Sequence, residues 1–162
     1  MFIDRPDAEL YQNEIIRQSE LAANTVIKWL KKLVEYGILN EAWKGGMKLY
    51  SLNRDSPVVR QLKILLNVAA IYEAVEKYAD TKMEVYLYGS TARGEDLAGS
   101  DVDLLIIGIA DDNTVAQMAR DIENATGRTV SPLMKTPVEY AELSRTNNAF
   151  YESINRDRIR II

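Results

Sequence analysis

The chain of 162 residues contains no cysteine and no histidine. These absences exclude disulfides, thiol nucleophiles and acid–base catalysis by histidine, and they exclude zinc sites of the usual kind. Any catalysis must therefore use carboxylates and a metal ion. The absence of cysteine also fits the reducing conditions of a cytoplasm.

Long hydrophobic segments are missing as well. The longest apolar runs lie near Ile64–Ile71 and Leu104–Ala110, and both are far too short to span a bilayer. The N-terminus lacks the cationic start and apolar core of a signal peptide. We therefore expect a cytoplasmic protein with no membrane partner. The formal net charge of −4 argues against a generally basic surface, but it allows a local basic face.

One stretch of the chain combines residue types and spacing that imply chemistry. An apolar and aromatic run, Tyr86–Tyr88, is followed by Gly89 and Ser90, which predicts a strand that ends in a tight turn before a helix. Glycine permits the turn and the close approach of a ligand, while serine can cap the helix and leave backbone amides facing an anion. The turn is therefore a candidate phosphate site.

Two carboxylates follow this turn. Asp101 and Asp103 begin an apolar run, and residues two apart in a strand point to the same side of the sheet. Like charges held this close repel each other, so both stay ionised more easily with a cation between them. Carboxylate oxygens favour magnesium, manganese or calcium. A phosphate site beside such a pair is what a nucleotide and its metal require.

The combined motif resembles the polymerase-beta-type nucleotidyltransferase superfamily, and in particular its minimal prokaryotic members. It consists of Gly-Ser at the start of Gly89–Gly94, ten intervening residues and then Asp-x-Asp. The resemblance implies that a hydroxyl attacks the α-phosphorus of a nucleoside triphosphate and that pyrophosphate leaves. It also implies Mg²⁺ or Mn²⁺ as the cofactor. The site residues that it implies are the catalytic metal ligands Asp101 and Asp103 and the nucleotide-binding residues Gly89, Ser90 and Arg93.

The resemblance further implies a third carboxylate on a later strand, which helps to bind the metal that activates the hydroxyl. The predicted strand Arg128–Met134 contains no acidic residue. Without this carboxylate, general-base effects of ordinary size would cost several orders of magnitude in rate. Three other acidic residues could take its place, although each also has an ordinary role in a loop or a helix cap: Glu95, Asp96 and Glu139.

The N-terminal part carries a different pattern. Two helical segments between Asp7 and Tyr36 are followed by two short strands around a turn at Lys44–Gly46. From about residue 11 to 53, this order resembles the winged helix-turn-helix of prokaryotic transcriptional regulators. We expect Trp29 to pack beneath the hairpin. The resemblance implies DNA-binding residues on the second helix and on the wing, namely Asn24, Thr25, Lys28, Lys31, Lys32, Lys44 and Lys48; alternatively, the lysines form a solvated face or the module binds protein.

The sequence therefore predicts an α/β (α+β) protein in three segments. These are a winged helix-turn-helix domain over 1–56, a linking helix over 57–79, and a minimal nucleotidyltransferase domain over 80–162 with a small mixed sheet and packed helices. Pro57 suits the first turn of the linking helix. That helix carries two apolar stripes, so it packs on both domains, on a second copy in a homodimer, or within the monomer.

Two functions remain open from the sequence. In the first, the protein transfers a nucleoside monophosphate from a nucleoside triphosphate to a small substrate or a partner protein such as a toxin, and the winged helix places it on DNA. In the second, it is a DNA-binding transcriptional regulator or antitoxin-like protein. Its degenerate nucleotidyltransferase domain then only binds a nucleotide or mediates dimerisation.

Overall fold

The computed structural model describes residues 1–79 and 82–162. It divides into two compact units, Met1–Leu62 and Lys63–Ile162, and each is described by itself. The division falls inside the helix predicted over 57–79, while the first two residues of the predicted segment 80–162 lie outside the described residues. None of the described helices is both long and apolar enough to cross a membrane.

The first unit contains a small antiparallel sheet and two helices ahead of a longer one. In the sheet, the third strand lies between the first two, in the order β1-β3-β2. The core includes Ile15, Leu30 and Tyr50. The elements are β1 (Glu9–Tyr11), α1 (Gln12–Ser19), α2 (Ala23–Glu35), β2 (Leu39–Lys44), β3 (Met47–Leu52) and the beginning of α3 (Pro57–Val75).

Glycines determine two of the turns in this unit. Beyond the end of α2, Gly37 adopts a positive φ of 66°, a conformation that suits the residue following a helix. The turn between β2 and β3 contains Gly45 and Gly46 with φ of 59° and 76°. Two consecutive positive φ angles are what a two-residue hairpin turn requires, and they confirm the predicted turn.

The second unit is built on a four-stranded sheet. Its strand order is β6-β5-β4-β7; β5 and β6 are parallel, whereas β4 runs antiparallel to β5 and β7. The sheet is mixed, as predicted. After the rest of α3 and a short 3₁₀ helix (Glu76–Tyr78), the elements are β4 (Met83–Tyr88), α4 (Gly89–Ala92), β5 (Val102–Gly108), α5 (Asp112–Thr126), β6 (Val130–Lys135), α6 (Pro137–Thr146), α7 (Asn148–Asp157) and β7 (Ile159–Arg160).

The unbroken apolar run Leu104–Ile107 predicts a central strand, and β5 is indeed buried on both faces. On one face, Leu104 and Ile106 join a core that includes Ile71 of α3 and Met118 of α5. On the other face, Leu105 and Ile107 pack with Ile154 of α7. Because the strand is held from both sides, its first residues are fixed in position, and they include Asp103.

Several predicted boundaries are wrong by a few residues. The predicted helix over 57–79 begins at Pro57 as expected but ends at Val75, where the 3₁₀ turn follows. The sequence pattern predicts Asn113 or Thr114 as the cap of α5, and this is wrong: the helix begins at Asp112, because the side chain of Asp111 accepts a hydrogen bond from the backbone N–H of Thr114. Thr136 with Glu139 three residues later predicts a capping box, and the structure confirms it at the start of α6.

Candidate active site

The candidate phosphate turn lies directly after β4. Gly89 has φ of 73°, and a Cβ atom at this position would collide with Oδ2 of Asp103. Only glycine accommodates both the conformation and the contact. Ser90 lies inside the short helix α4, whose N-cap position is occupied by Tyr88, so the predicted capping role of Ser90 is wrong. The turn and the acidic strand meet at Gly89.

The structure places Asp103 at the centre of the sheet. In the register of the sheet it pairs with Tyr88 of β4 on one side and with Ser131 of β6 on the other. Asp101 is exposed just before the strand. The pKa of Asp103 is raised mainly by burial and then by the negative charge of Asp101, while Arg128 and Arg93 oppose this shift. The two carboxylates therefore repel each other.

This donor set fits a divalent cation. Carboxylate oxygens are the ligands that Mg²⁺ and Mn²⁺ prefer, and a cation would offset both the burial and the repulsion by Asp101 that raise the pKa of Asp103. Two acidic ligands are present, but the described residues contain no group of three that could hold a metal ion.

The three alternative carboxylates all have other partners. Glu95 binds Arg93, with 2.8 Å between Oε2 and Nε. Asp96 is buried against Lys63 and Arg128, and Glu139 completes the capping box of α6. On β6, the position beside Asp103 is occupied by Ser131. Each of the three acids would therefore have to give up a present partner to serve as a third ligand.

Arg93 lies at the edge of this region and contacts two acidic groups. Besides Glu95, its Nη1 lies 3.8 Å from Oδ2 of Asp157 at the end of α7. These contacts connect the loop after α4 to a helix on the sheet. They are compatible with a role of Arg93 in ordering the loop, and its side chain remains partly exposed.

The sequence did not reveal the largely buried polar cluster of Lys63, Asp96 and Arg128, which contacts α4 through Thr91. Arg128 donates to Oγ1 of Thr91 and to Oδ2 of Asp96, and Lys63 is 4% exposed. The available signal was Lys63 itself, a charged residue between apolar neighbours in a predicted helix. Its partner could not be found from the sequence, because Asp96 is 33 residues away.

The predicted DNA-binding residues form part of the first unit. Among these residues, Asn24, Thr25, Lys28 and Lys31 are exposed on α2, and Lys44 is exposed at the end of β2. Lys32 lies over the ring of Trp29, with 5.3 Å from Nζ to the ring centroid. Lys48 pairs with Glu41 at 2.9 Å. Trp29 is 52% exposed, so the expectation that it packs beneath the hairpin is wrong.

The glycine turn after β4 thus lies beside Asp103 at the start of the central strand β5, and Asp101 precedes that strand by one residue. The family model "Nucleotidyltransferase domain" matches residues 68–157, more than half of the chain. The protein therefore belongs to the nucleotidyltransferase domain family.

A solved structure gives a second comparison. It is described as a "putative nucleotidyltransferase" from Sulfolobus solfataricus and shares 23% identity with this chain. The match covers 63% of this chain and 85% of that one, with a TM-score of 0.37. Among curated proteins, none matches this chain.

Proposed function

We propose that this chain is a metal-dependent nucleotidyltransferase that transfers a nucleoside monophosphate from a nucleoside triphosphate to an acceptor hydroxyl. The observation that carries the proposal is the contact between the Asp103 carboxylate and Gly89. The closeness of Asp103 to this turn supports a site in which one triphosphate reaches both the turn and the metal held by the acidic pair. The family assignment supports the same reaction class.

In this proposal, Asp101 and Asp103 hold Mg²⁺ or Mn²⁺, and the backbone at Gly89 and Ser90 binds phosphate oxygens. When bound, the metal would neutralise negative charge on the phosphates. Arg93 keeps the adjoining loop in place through Glu95 and Asp157 and adds positive charge at the mouth of the site. These residues orient the triphosphate for in-line attack, which is most of what phosphoryl-type transfer needs from a protein.

The transfer forms a bond between the acceptor oxygen and the α-phosphorus and breaks the bond to the pyrophosphate oxygen. Pyrophosphate leaves with the electron pair of that bond. The hydroxyl proton passes to solvent, because β6 offers Ser131 and no carboxylate beside Asp103. We therefore expect slow transfer compared with an enzyme that has a general base.

Calorimetric titration with magnesium and each common nucleoside triphosphate tests the proposal. The wild type is compared with the Asp101→Asn, Asp103→Asn double variant and with a control, Asp112→Asn, Glu142→Gln, which changes two exposed acids on α5 and α6. Binding that needs magnesium, is retained by the control and disappears in the site variant is the expected result. No binding by the folded wild type would refute the proposal.

A second candidate function is regulation through DNA. The element order of the first unit and the position of β3 between β1 and β2 support a winged helix in which α2 enters the major groove. Lys28 and Lys31 are exposed on α2. Here the nucleotidyltransferase domain only binds a nucleotide or pairs two copies of the chain, as in a transcriptional regulator or antitoxin-like protein.

The absence of a third acid near Asp103 among the described residues favours this second candidate. Exposed Leu65 and Leu66 on α3 support pairing of two copies. Transfer of label from an α-³²P nucleoside triphosphate to a partner protein, for example a toxin, or to a small acceptor separates the two functions. Labelled acceptor supports the enzyme, and DNA binding without label transfer supports the regulator.

A further inference from the structure

Arg128 lies just before β6 and connects the two halves of the candidate site. Its Nη2 donates to Oγ1 of Thr91 on α4 at 2.7 Å and to the backbone carbonyl of Asp101 at 3.1 Å. Its Nε donates to the carbonyl of Ser100 at 2.8 Å. One guanidinium therefore contacts both α4, which follows the candidate phosphate turn, and the backbone that leads into β5.

The remaining donors of Arg128 point to a buried acid. Nη1 contacts Oδ2 of Asp96 at 3.3 Å and Oδ1 of Asn67 at 3.5 Å. A guanidinium has five N–H donors, and these five contacts use them all. Arg128 therefore cannot bind a phosphate without losing a contact that it already makes.

The acid is itself anchored to α3. Lys63 donates to the backbone carbonyl of Asp96, and its Nζ lies 3.2 Å from Oδ1 of the same residue. Asn67 donates to that oxygen at 3.4 Å. Because Lys63 and Asp96 are 4% and 7% exposed, water does not compete strongly for these contacts. Because Asp96 is held by Lys63 and Asn67, its contact with Arg128 fixes the orientation of the guanidinium.

We propose that Arg128 is a positioning residue, which fixes the phosphate turn relative to Asp101 and Asp103 through its planar guanidinium. A lysine has the same charge but offers a single point of contact instead of a fork, so it cannot hold Thr91, Ser100 and Asp101 together. The consequence for nucleotide binding rests on the proposed function. There, a displacement of about 1 Å at a reacting group can lower the rate by about a hundredfold.

Hydrogen exchange tests the positioning role without any nucleotide. Arg128→Lys is compared with the wild type and with Arg120→Lys, a matched change at an exposed position of α5. We expect amides within 89–103 to exchange about tenfold faster in Arg128→Lys, since local opening costs less there, and amides within 39–52 to be unchanged. Unaltered exchange over 89–103, or an equal increase in both segments, would overturn the inference.

A milder variant covers the case in which Arg128→Lys does not fold. Thr91→Val keeps the buried volume but removes the hydroxyl that accepts from Arg128 and donates to the carbonyl of Asp101. It should accelerate exchange over the same segment by a smaller factor. No local acceleration in this variant would count against the inference in the same way.

Calorimetry with magnesium and ATP, or with the triphosphate that the wild type binds best, provides the functional readout. If the wild type binds, Arg128→Lys should bind at least about tenfold more weakly and Arg120→Lys should match the wild type; equal affinity in Arg128→Lys would overturn the functional part of the inference. If the wild type does not bind, the proposed function fails. The exchange result then decides the positioning role alone.

Discussion

Two acidic groups in the second unit have opposite surroundings. The carboxylate of Asp96 is buried and contacts Lys63, Asn67 and Arg128, whereas Asp103 lies beside the like charge of Asp101 and has a raised pKa. Polar groups that serve the fold are usually satisfied by their neighbours. Two like charges that repel each other indicate a site where a bound cation would neutralise them.

The largest effect should follow from removing the charge of Asp96. Asp96→Asn leaves Lys63 and Arg128 without their common counter-ion in a buried setting, and breaking such a pair costs about 3–5 kcal/mol. Asp103→Asn removes a repulsion instead, so the free energy of unfolding should stay the same or increase. Urea denaturation followed by circular dichroism measures both values.

Asp112→Asn, at an exposed position of α5, is the control for replacing a carboxylate by an amide. It should alter the free energy of unfolding by less than about 0.5 kcal/mol. Equal destabilisation by Asp96→Asn and Asp103→Asn would contradict the distinction between a structural cluster and a functional pair.

The next effect concerns the strand beside Asp103. Ser131 is exposed and is the register neighbour of Asp103 on β6. Ser131→Asp introduces a third carboxylate there and should increase label transfer from an α-³²P nucleoside triphosphate about a hundredfold, within the usual range for a general base. Initial rates of label transfer at saturating magnesium measure the change.

Ser131→Asn is the matched variant, since it has the size of aspartate without the charge. Its transfer rate should equal that of the wild type. An identical increase in both variants would mean that packing, and not the carboxylate, causes it, while no increase in Ser131→Asp would show that β6 is not placed to contribute to the reaction.

Local signals explain what could be predicted from the sequence. The Gly-Ser turn, the paired aspartates and the capping box of Thr136 and Glu139 each depend on residues close in sequence and on fixed backbone geometry. Strand β5 could be predicted as central because its apolar residues do not alternate with polar ones. These local elements are enough to predict that Gly89 and Asp103 belong to one site.

Long-range contacts explain what could not be predicted. Strands β1 and β7 have three and two residues and exist because distant strands pair with them. Arg128 contacts Thr91 across 37 residues and Asn67 across 61, and no local pattern encodes such a choice of partner. The exposure of Trp29 was missed because its helical position alone does not tell whether the hairpin covers it.

The contrast between paired and unpaired charges extends to the first unit. Lys28 and Lys31 make no ion pair within the described residues, whereas Lys48 is paired with Glu41. In the proposed winged helix, Lys28→Ala, Lys31→Ala should weaken DNA binding about tenfold and reduce the slope of log K against log salt by about 2. Fluorescence anisotropy with a labelled duplex at several KCl concentrations measures both quantities.

Lys48→Ala should have a smaller effect on DNA affinity, because Glu41 already neutralises this lysine. Arg120→Ala in the second unit serves as the control and should leave the affinity unchanged. If all three variants reduce the affinity equally, binding is diffuse and does not use α2 in particular.

The smallest effect concerns a partly buried acid of α5 that accepts several hydrogen bonds. Hydrogen bonds from Lys77, Tyr78 and Gln117 lower the pKa of Asp121 to about 2. A carboxyl with a lowered pKa stabilises the folded chain above its ordinary pKa near 4, and this contribution is lost as the pH falls toward the folded value. Asp121→Asn should therefore reduce stability slightly at pH 7 and reduce it less at pH 2 to 3. Melting temperatures of both proteins across this range measure the difference; a constant difference at all pH values would mean that the charge of Asp121 contributes nothing.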